Sequence, residues 1–152
     1  MTAPVVRGCW QERVEVLGRW FVLRFDGPVP PGRYEVRIWE GRRLPWRREY
    51  LRAPIRGRDV DEARERALEV LHNYVGLDRF RVMVEDVARQ VAPGAQVDVG
   101  EDVRDVIISL AGTYRLEVPL VVSRHDVLER DADPERLRGL VRAHLETYAT
   151  PR

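Results

Sequence analysis

The chain has 152 residues and contains 26 arginines, no lysine and 25 acidic residues, which leaves a net charge of +1. This length suits one domain or two small halves. The absence of lysine excludes a P-loop lysine, a Schiff-base lysine and a Ser-x-x-Lys nucleophile. No apolar run reaches the roughly 18 residues of a membrane span, and the single cysteine cannot form an intramolecular disulfide. We therefore expect a cytoplasmic protein with no membrane partner.

Charge is distributed unevenly along the chain. Residues 1–58 hold 13 arginines against 6 acids, whereas residues 59–152 hold 13 arginines against 19 acids. This asymmetry predicts that a basic part and an acidic part attract each other, within one fold or across a homodimer, or that the basic part binds a polyanion. Arginine without lysine, together with little Asn, Gln, Met or Cys, is typical of a thermophile or of an arginine-favouring genome.

Alternating apolar and polar residues predict antiparallel strands in the first third of the chain. The alternation covers 20–26, 33–40 and 46–56, and segments rich in Gly and Pro separate the runs. A further strand over 13–17 has a weaker pattern. One face of these strands is apolar, and the opposite face carries tryptophan and arginine.

Two helices follow in the prediction. Asp59 is the expected N-cap of the first helix, and Glu62 completes a capping-box pattern. The apolar stripe of this helix contains Val60, Ala63, Ala67, Leu71 and Tyr74. Gly76 is the expected C′ residue, and the second helix covers 78–91. Gly76 is therefore also the predicted boundary between a basic half, 1–76, and an acidic half, 77–152.

The last part of the chain predicts strands and then a closing helix. The segment 96–110 fits a helix or a strand, and its β-branched residues favour a strand over 105–110, joined by a turn at 111–112 to a strand over 113–122. Asp133 is the expected N-cap of the closing helix. The fold class is therefore α+β, with antiparallel sheet packed by helices on one face, two strand-then-helix units, and a single compact domain over 1–152.

Few residues suggest catalysis. Ser123, His125 and Asp126 lie close in sequence, but adjacent side chains on an extended chain point to opposite sides, so they are not aligned for acid-base chemistry. An acidic cluster could hold a hard cation such as Mg²⁺, and its residues are Asp98, Glu101, Asp102 and Asp105. A metal-dependent enzyme using this cluster and His125 is thus one alternative. The prediction leans towards a protein that is not an enzyme and has no cofactor.

The strongest candidate site is an Arg/Trp face on the predicted N-terminal sheet. Its residues are Trp20, Arg24, Arg37, Trp39, Arg42, Arg43, Trp46, Arg47, Arg48, Tyr50, Arg52 and Arg56. Exposed tryptophans form an apolar patch that a protein partner or a second copy would cover, so protein interaction or self-association is the first hypothesis. The alternative is RNA or single-stranded DNA, with bases stacked on the aromatic rings and phosphates held by arginine. Arginine can also stack on tryptophan within a sheet without any ligand.

Overall fold

The computed structural model describes residues 8–29, 32–41, 48–129 and 133–152. Antiparallel sheets and helices make up the chain, so the predicted α+β class is confirmed. The chain divides into two compact units, Met1–Val75 and Gly76–Arg152. Among the described helices, none combines the length and the hydropathy that crossing a membrane requires.

The first unit contains a four-stranded antiparallel sheet in chain order. Its strands are β1 (Gly8–Val16), β2 (Arg19–Val29), β3 (Arg33–Glu40) and β4 (Arg48–Arg56). The weak prediction over 13–17 was too short, because β1 pairs with β2 from Gly8 onward. Aromatic stacking reinforces this pairing: the rings of Trp10 and Phe25 lie 4.5 Å apart and parallel.

One face of this sheet packs on the first part of helix α1, which covers Val60–Val91. The sheet contributes to the buried cluster Phe21, Leu23, Phe25, Tyr34, Val36, Ile38 and Ile55, and the helix contributes Ala63, Ala67, Leu71 and Val75. Asp59 is the N-cap as predicted, since its Oδ1 accepts the Glu62 backbone N–H at 2.8 Å. Gly57 allows close approach before the helix, because a Cβ there would lie 2.7 Å from the Ala63 nitrogen.

The prediction of two helices separated at Gly76 was wrong, because α1 continues through this residue. Gly76 is buried, and a Cβ on it would lie 2.9 Å from Leu128 Cδ2, so packing accounts for the glycine. Its cost in a helix interior, about 1 kcal/mol relative to alanine, is small beside the packing of a long helix. Tyr74 was also assigned wrongly to the apolar stripe: it is 46% exposed, whereas Val75 is fully buried.

The second unit contains a three-stranded antiparallel sheet and a two-stranded sheet. The order in the larger sheet is β5 (Ala95–Glu101), β6 (Asp105–Gly112), β8 (Leu120–Ser123). The smaller sheet pairs β7 (Tyr114–Leu116) with β9 (Ala149–Pro151). Helices α2 (Arg124–Leu128) and α3 (Pro134–Tyr148) follow β8. The buried core of this unit includes Val84, Val87, Val106, Ile108, Val141 and Leu145.

Local patterns predicted this unit only in part. The strand over 105–110 and the closing helix with its Asp133 cap are confirmed. The single strand over 113–122 was wrong, since this segment forms β7 and β8, which belong to different sheets. β6 pairs antiparallel with β8, so the predicted partner of 105–110 is correct at its C-terminal end, but β7 pairs with the strand that follows α3 and the predicted tight turn at 111–112 does not join two paired strands.

Candidate functional site

The outer face is the side of the β1–β4 sheet that points away from the cluster shared with α1. Strand register places three arginines directly side by side on it: Arg24 lies opposite Arg37, and Arg37 lies opposite Arg52. We call these three residues the arginine row. Directly opposed residues on one sheet face have Cβ atoms about 5 Å apart, so the three side chains share one local field.

Two tryptophans lie next to the arginine row. Trp39 follows Arg37 by two positions on β3, and Trp20 begins the outer face of β2 opposite Glu15. Both rings are half-buried. Val22 lies between Arg13 and Trp39 in the register and is only 4% exposed, so neighbouring side chains cover it. The outer face is therefore partly apolar beside the row.

Acidic residues border the row, and sequence reasoning missed them. Asp26 lies opposite Glu35, two register positions from the Arg24–Arg37 pair and on the same face. Arg24 Nε is 3.3 Å from Asp26 Oδ2, but the angle is poor for a hydrogen bond and this buried nitrogen has no acceptor in the described structure. Arg52 Nε donates to Glu49 Oε1 at 3.2 Å. The row is thus neutralised only in part.

Arg37, the central member of the row, has no ion pair or hydrogen bond from its side chain to any residue that the structure describes. It stands between two other guanidinium groups on adjacent strands. Like charges directly opposite in a sheet are unfavourable, on the order of several tenths of a kcal/mol for an exposed pair. An anionic group placed over the row would remove this cost.

A β-bulge changes the predicted face at the start of β4. The register shifts between Ile38 and Trp39, so that Glu49 lies opposite Trp39 and Tyr50 is the extra residue of the bulge. The Tyr50 ring packs on the α1 side instead, 5.3 Å from the Phe21 ring. Assigning Tyr50 to the Arg/Trp face was therefore wrong, because alternation was counted through a residue that the bulge removes from register.

The other predicted residues have mixed outcomes. Arg56 lies opposite Arg33 at the end of the outer face, and its carbonyl accepts a 2.7 Å hydrogen bond from Arg66. Arg48 lies opposite Glu40 in the register, and the structure does not describe its side chain. Four predicted residues lie outside the described part of the chain, namely Arg42, Arg43, Trp46 and Arg47.

Charged residues on the α1 side of the same sheet are paired more completely. Arg19 donates from two nitrogens to the Glu40 carboxylate at 2.9 and 2.6 Å. Arg64 of α1 binds Glu12 of β1 in the same two-bonded way at 2.6 and 2.5 Å. The hydrogen bonds to Glu12 raise the pKa of Arg64 above its ordinary value. The Arg64 pair links α1 to β1, the Arg19 pair links β2 to β3, and neither is available to a ligand.

A cleft of about 450 Å³ lies at the β4 edge of the sheet. The described residues that line it are Arg33, Glu35, Arg52, Ala53 and Pro54. Three of these five side chains are charged, so the cleft suits a polar group better than an apolar ligand. It extends the arginine row towards the end of the outer face, because Arg52 belongs to both.

The acidic cluster does not form a metal site. Within the described ranges, which include the whole of 98–105, no three His, Cys, Asp or Glu side chains are close enough to hold a metal ion. Asp102 Oδ1 accepts the backbone N–H groups of Arg104 and Asp105, both at 2.8 Å, and these bonds lower its pKa. Asp102 therefore caps the β5–β6 turn. His125 Nε2 lies 3.4 Å from Glu129 Oε2.

Comparison with known proteins does not assign the chain to a family. No protein family matches the chain, and none of the solved structures matches it. The chain is similar to the chloroplastic alpha-glucan water dikinase of Citrus reticulata, with 24% identity over 101 residues. Those residues are 66% of this chain but 7% of the dikinase, so the chain spans a small fraction of that protein. This similarity does not show membership of a family.

Proposed function

We propose that this protein is a non-enzymatic binding module whose outer face recognises an acidic surface of a protein partner, including another copy of itself. The observation that carries the proposal is the arginine row, Arg24, Arg37 and Arg52, held in register beside Trp39. Arginine and tryptophan are enriched among the residues that contribute most to protein interfaces. A partner carboxylate over Arg37 would supply the ion pair that the described chain does not give it.

The acidic neighbours favour a protein partner over a nucleic acid. Asp26 and Glu35 lie opposite each other two register positions from the row, on the same face, and Glu49 lies beside Arg52. A phosphate backbone carries negative charge along its whole length, so these carboxylates would repel it where the arginines attract it. A protein surface can place opposite charges over both signs.

An α-glucan is a second candidate ligand. The supporting observations are the sequence similarity to a protein named alpha-glucan water dikinase and the two half-buried tryptophans of the outer face, Trp20 and Trp39. An aromatic ring offers a broad apolar surface on which the apolar side of a sugar ring can stack. In this case tryptophan would provide the affinity, and the arginine row would contribute little.

The proposal is tested by comparing three probes on the same protein. The probes are a labelled helical peptide with glutamates at i, i+4 and i+8, a labelled single-stranded oligonucleotide, and maltoheptaose. Binding is measured at about 50 mM salt, where electrostatic contacts are strong. We expect the acidic peptide to bind best, and the triple variant Arg24→Gln/Arg37→Gln/Arg52→Gln, the row variant, to bind it at least about tenfold more weakly.

The matched control removes the same amount of charge elsewhere. Arg79, Arg81 and Arg136 are exposed residues of the helices, and their replacement by Gln should leave peptide binding within about twofold of the wild type. Tighter binding of the oligonucleotide than of the peptide would favour the nucleic-acid alternative. Binding of maltoheptaose that Trp39→Ala abolishes and the row variant retains would favour the glucan. Equal loss in the control and row variants would contradict a specific site.

A further inference from the structure

The first part of α1 carries an acidic stripe on its solvent side. Asp61, Glu65 and Glu69 are spaced at i, i+4 and i+8, and all three are exposed. None of them forms an ion pair with a described residue. Like charges at i, i+4 destabilise a helix by about 0.2–0.5 kcal/mol per pair. The stripe is therefore a line of like charge whose members form no ion pair with the described residues, as is also true of Arg37 at the centre of the arginine row.

A neighbouring stripe on the same helix shows the contrast. Glu62 accepts a 2.7 Å hydrogen bond from Arg58 and pairs with Arg66 at 2.8 Å. The bond from Arg58 lowers the pKa of Glu62 below its ordinary value of 4.5. Charges in this stripe are satisfied within the helix. Unpaired negative charge is thus confined to one stripe, Asp61, Glu65 and Glu69, on this part of α1.

We propose that the acidic stripe of one copy docks on the arginine row of another copy. This inference rests on the proposed function and names the partner surface. Residues four apart on a helix are about 6 Å apart along its axis, so the stripe spans about 12 Å. Neighbouring strands are about 4.8 Å apart, so the row spans about 9.6 Å. The difference is about 1.2 Å at each end, which flexible arginine side chains cover easily.

The two surfaces point to opposite sides of the first unit. The row lies on the outer face of the sheet, and the stripe lies on the solvent side of the helix that covers the inner face. A copy therefore cannot satisfy its own row with its own stripe. The contact is heterologous, so an open chain of copies keeps one free row and one free stripe at its ends, whereas a closed ring keeps neither. It builds a chain or a ring of copies, and its strength falls with salt because the stripe is exposed and the row is at least partly exposed to solvent.

Sedimentation velocity on two variants tests this arrangement. The row variant keeps the stripe, and the stripe variant, Asp61→Asn/Glu65→Gln/Glu69→Gln, keeps the row. We expect the wild type to form oligomers that grow with concentration and dissociate at high salt. Each variant alone should be monomeric, with association weakened at least about tenfold. Their equimolar mixture should form a one-to-one complex and nothing larger, because each copy then contributes one competent surface.

The control variant is Arg58→Gln/Glu62→Gln/Arg66→Gln, which removes the paired stripe and should associate like the wild type. Urea unfolding of all variants checks that each is folded. A stripe variant that associates like the wild type, a mixture that stays monomeric, or a monomeric wild type would overturn the proposed contact. If the wild type is monomeric but its row still binds the acidic peptide, the proposed function stands and this contact is wrong. If the wild type is monomeric and the acidic peptide does not bind to it either, both the proposed function and this contact are wrong.

Discussion

The two faces of the β1–β4 sheet differ in how their charges are satisfied. On the α1 side, the carboxylates of Glu40 and Glu12 are each held by two arginine nitrogens. On the outer face, Arg37 has no partner among the described residues, and the Nε of Arg24 has no acceptor. A high arginine content therefore does not by itself indicate a binding surface. Arginines that the chain has not already paired are the informative ones.

The same comparison applies to the aromatic residues. Trp10 on the α1 side stacks on Phe25 and meets Tyr34 edge-on, so it packs against the core cluster. Trp20 and Trp39 lie on the opposite side, outside that cluster. Aromatic residues of one type therefore serve stability on one face, and we propose that they serve recognition on the other.

The largest expected effect contrasts a core residue with the centre of the row. Phe25 is fully buried, and Phe25→Ala should lower the free energy of unfolding by about 3–5 kcal/mol through lost burial and a cavity. Arg37→Ala should change it by less than about 1 kcal/mol, because it removes a half-buried guanidinium that has no ion pair with a described residue and that lies between two like charges. Urea denaturation measures both values. A loss above about 2 kcal/mol for Arg37→Ala would show that the outer face is structural.

The approach of α1 to the sheet offers a second contrast. A Cβ at Gly57 would meet the Ala63 backbone, so Gly57→Ala should cost about 1–3 kcal/mol by forcing the helix start away from the sheet. At Gly139 of α3 a Cβ would have no atom within 4 Å. Gly139→Ala should therefore stabilise the protein by about 0.5–1 kcal/mol. Thermal unfolding checks both directions, and a neutral Gly57→Ala would contradict the close approach.

Ion pairs on the two faces should differ in their coupling energies. A double-mutant cycle on Glu12 and Arg64, which make two short hydrogen bonds, should give about 0.5–1 kcal/mol. The equivalent cycle on Arg24 and Asp26, whose contact lacks hydrogen-bond geometry, should give less than about 0.3 kcal/mol. Both cycles are measured by urea unfolding at low salt. Equal coupling energies for the two pairs would contradict the difference in charge pairing between the two faces.

The smallest effect concerns Glu62 on the paired stripe. Its pKa is lowered from 4.5 chiefly by the Arg58 hydrogen bond. A lowered pKa means that the ionised form contributes stability above the unfolded value, and that this stability is lost as the pH falls from 4.5 through the folded value. NMR titration of the Glu62 carboxyl should show this low pKa, and Arg58→Ala should raise it towards the ordinary value. No change in Arg58→Ala would contradict the pairing.

Local sequence patterns predicted the elements whose signals are contained in a single segment. Alternation predicted β2 and β3, and Asp59 and Asp133 were recognised as caps because an N-cap needs only its own turn. Patterns failed where distant segments decide the structure. The pairing of β7 with β9 and the continuation of α1 through Gly76 depend on contacts that no local periodicity contains.

The candidate site shows the same limit. Alternation assigned Trp20, Trp39 and the three arginines of the row to one face, and the strand register gives the same side for all five. Alternation could not predict that the three arginines lie side by side in one row, because this depends on the register of the strands. Alternation also placed Tyr50 on the wrong face, because counting every second residue cannot detect a β-bulge.

The most direct measurement follows the indole N–H resonances of Trp10, Trp20 and Trp39 as the protein is concentrated at low salt. Trp20 and Trp39 lie on the outer face, whereas Trp10 packs against the core cluster on the α1 side and serves as an internal reference. We expect the Trp20 and Trp39 signals to shift with concentration and to return on adding salt, while the Trp10 signal stays fixed. Shifts of equal size at Trp10, or none at Trp20 and Trp39 up to millimolar concentration, would contradict recognition through the outer face.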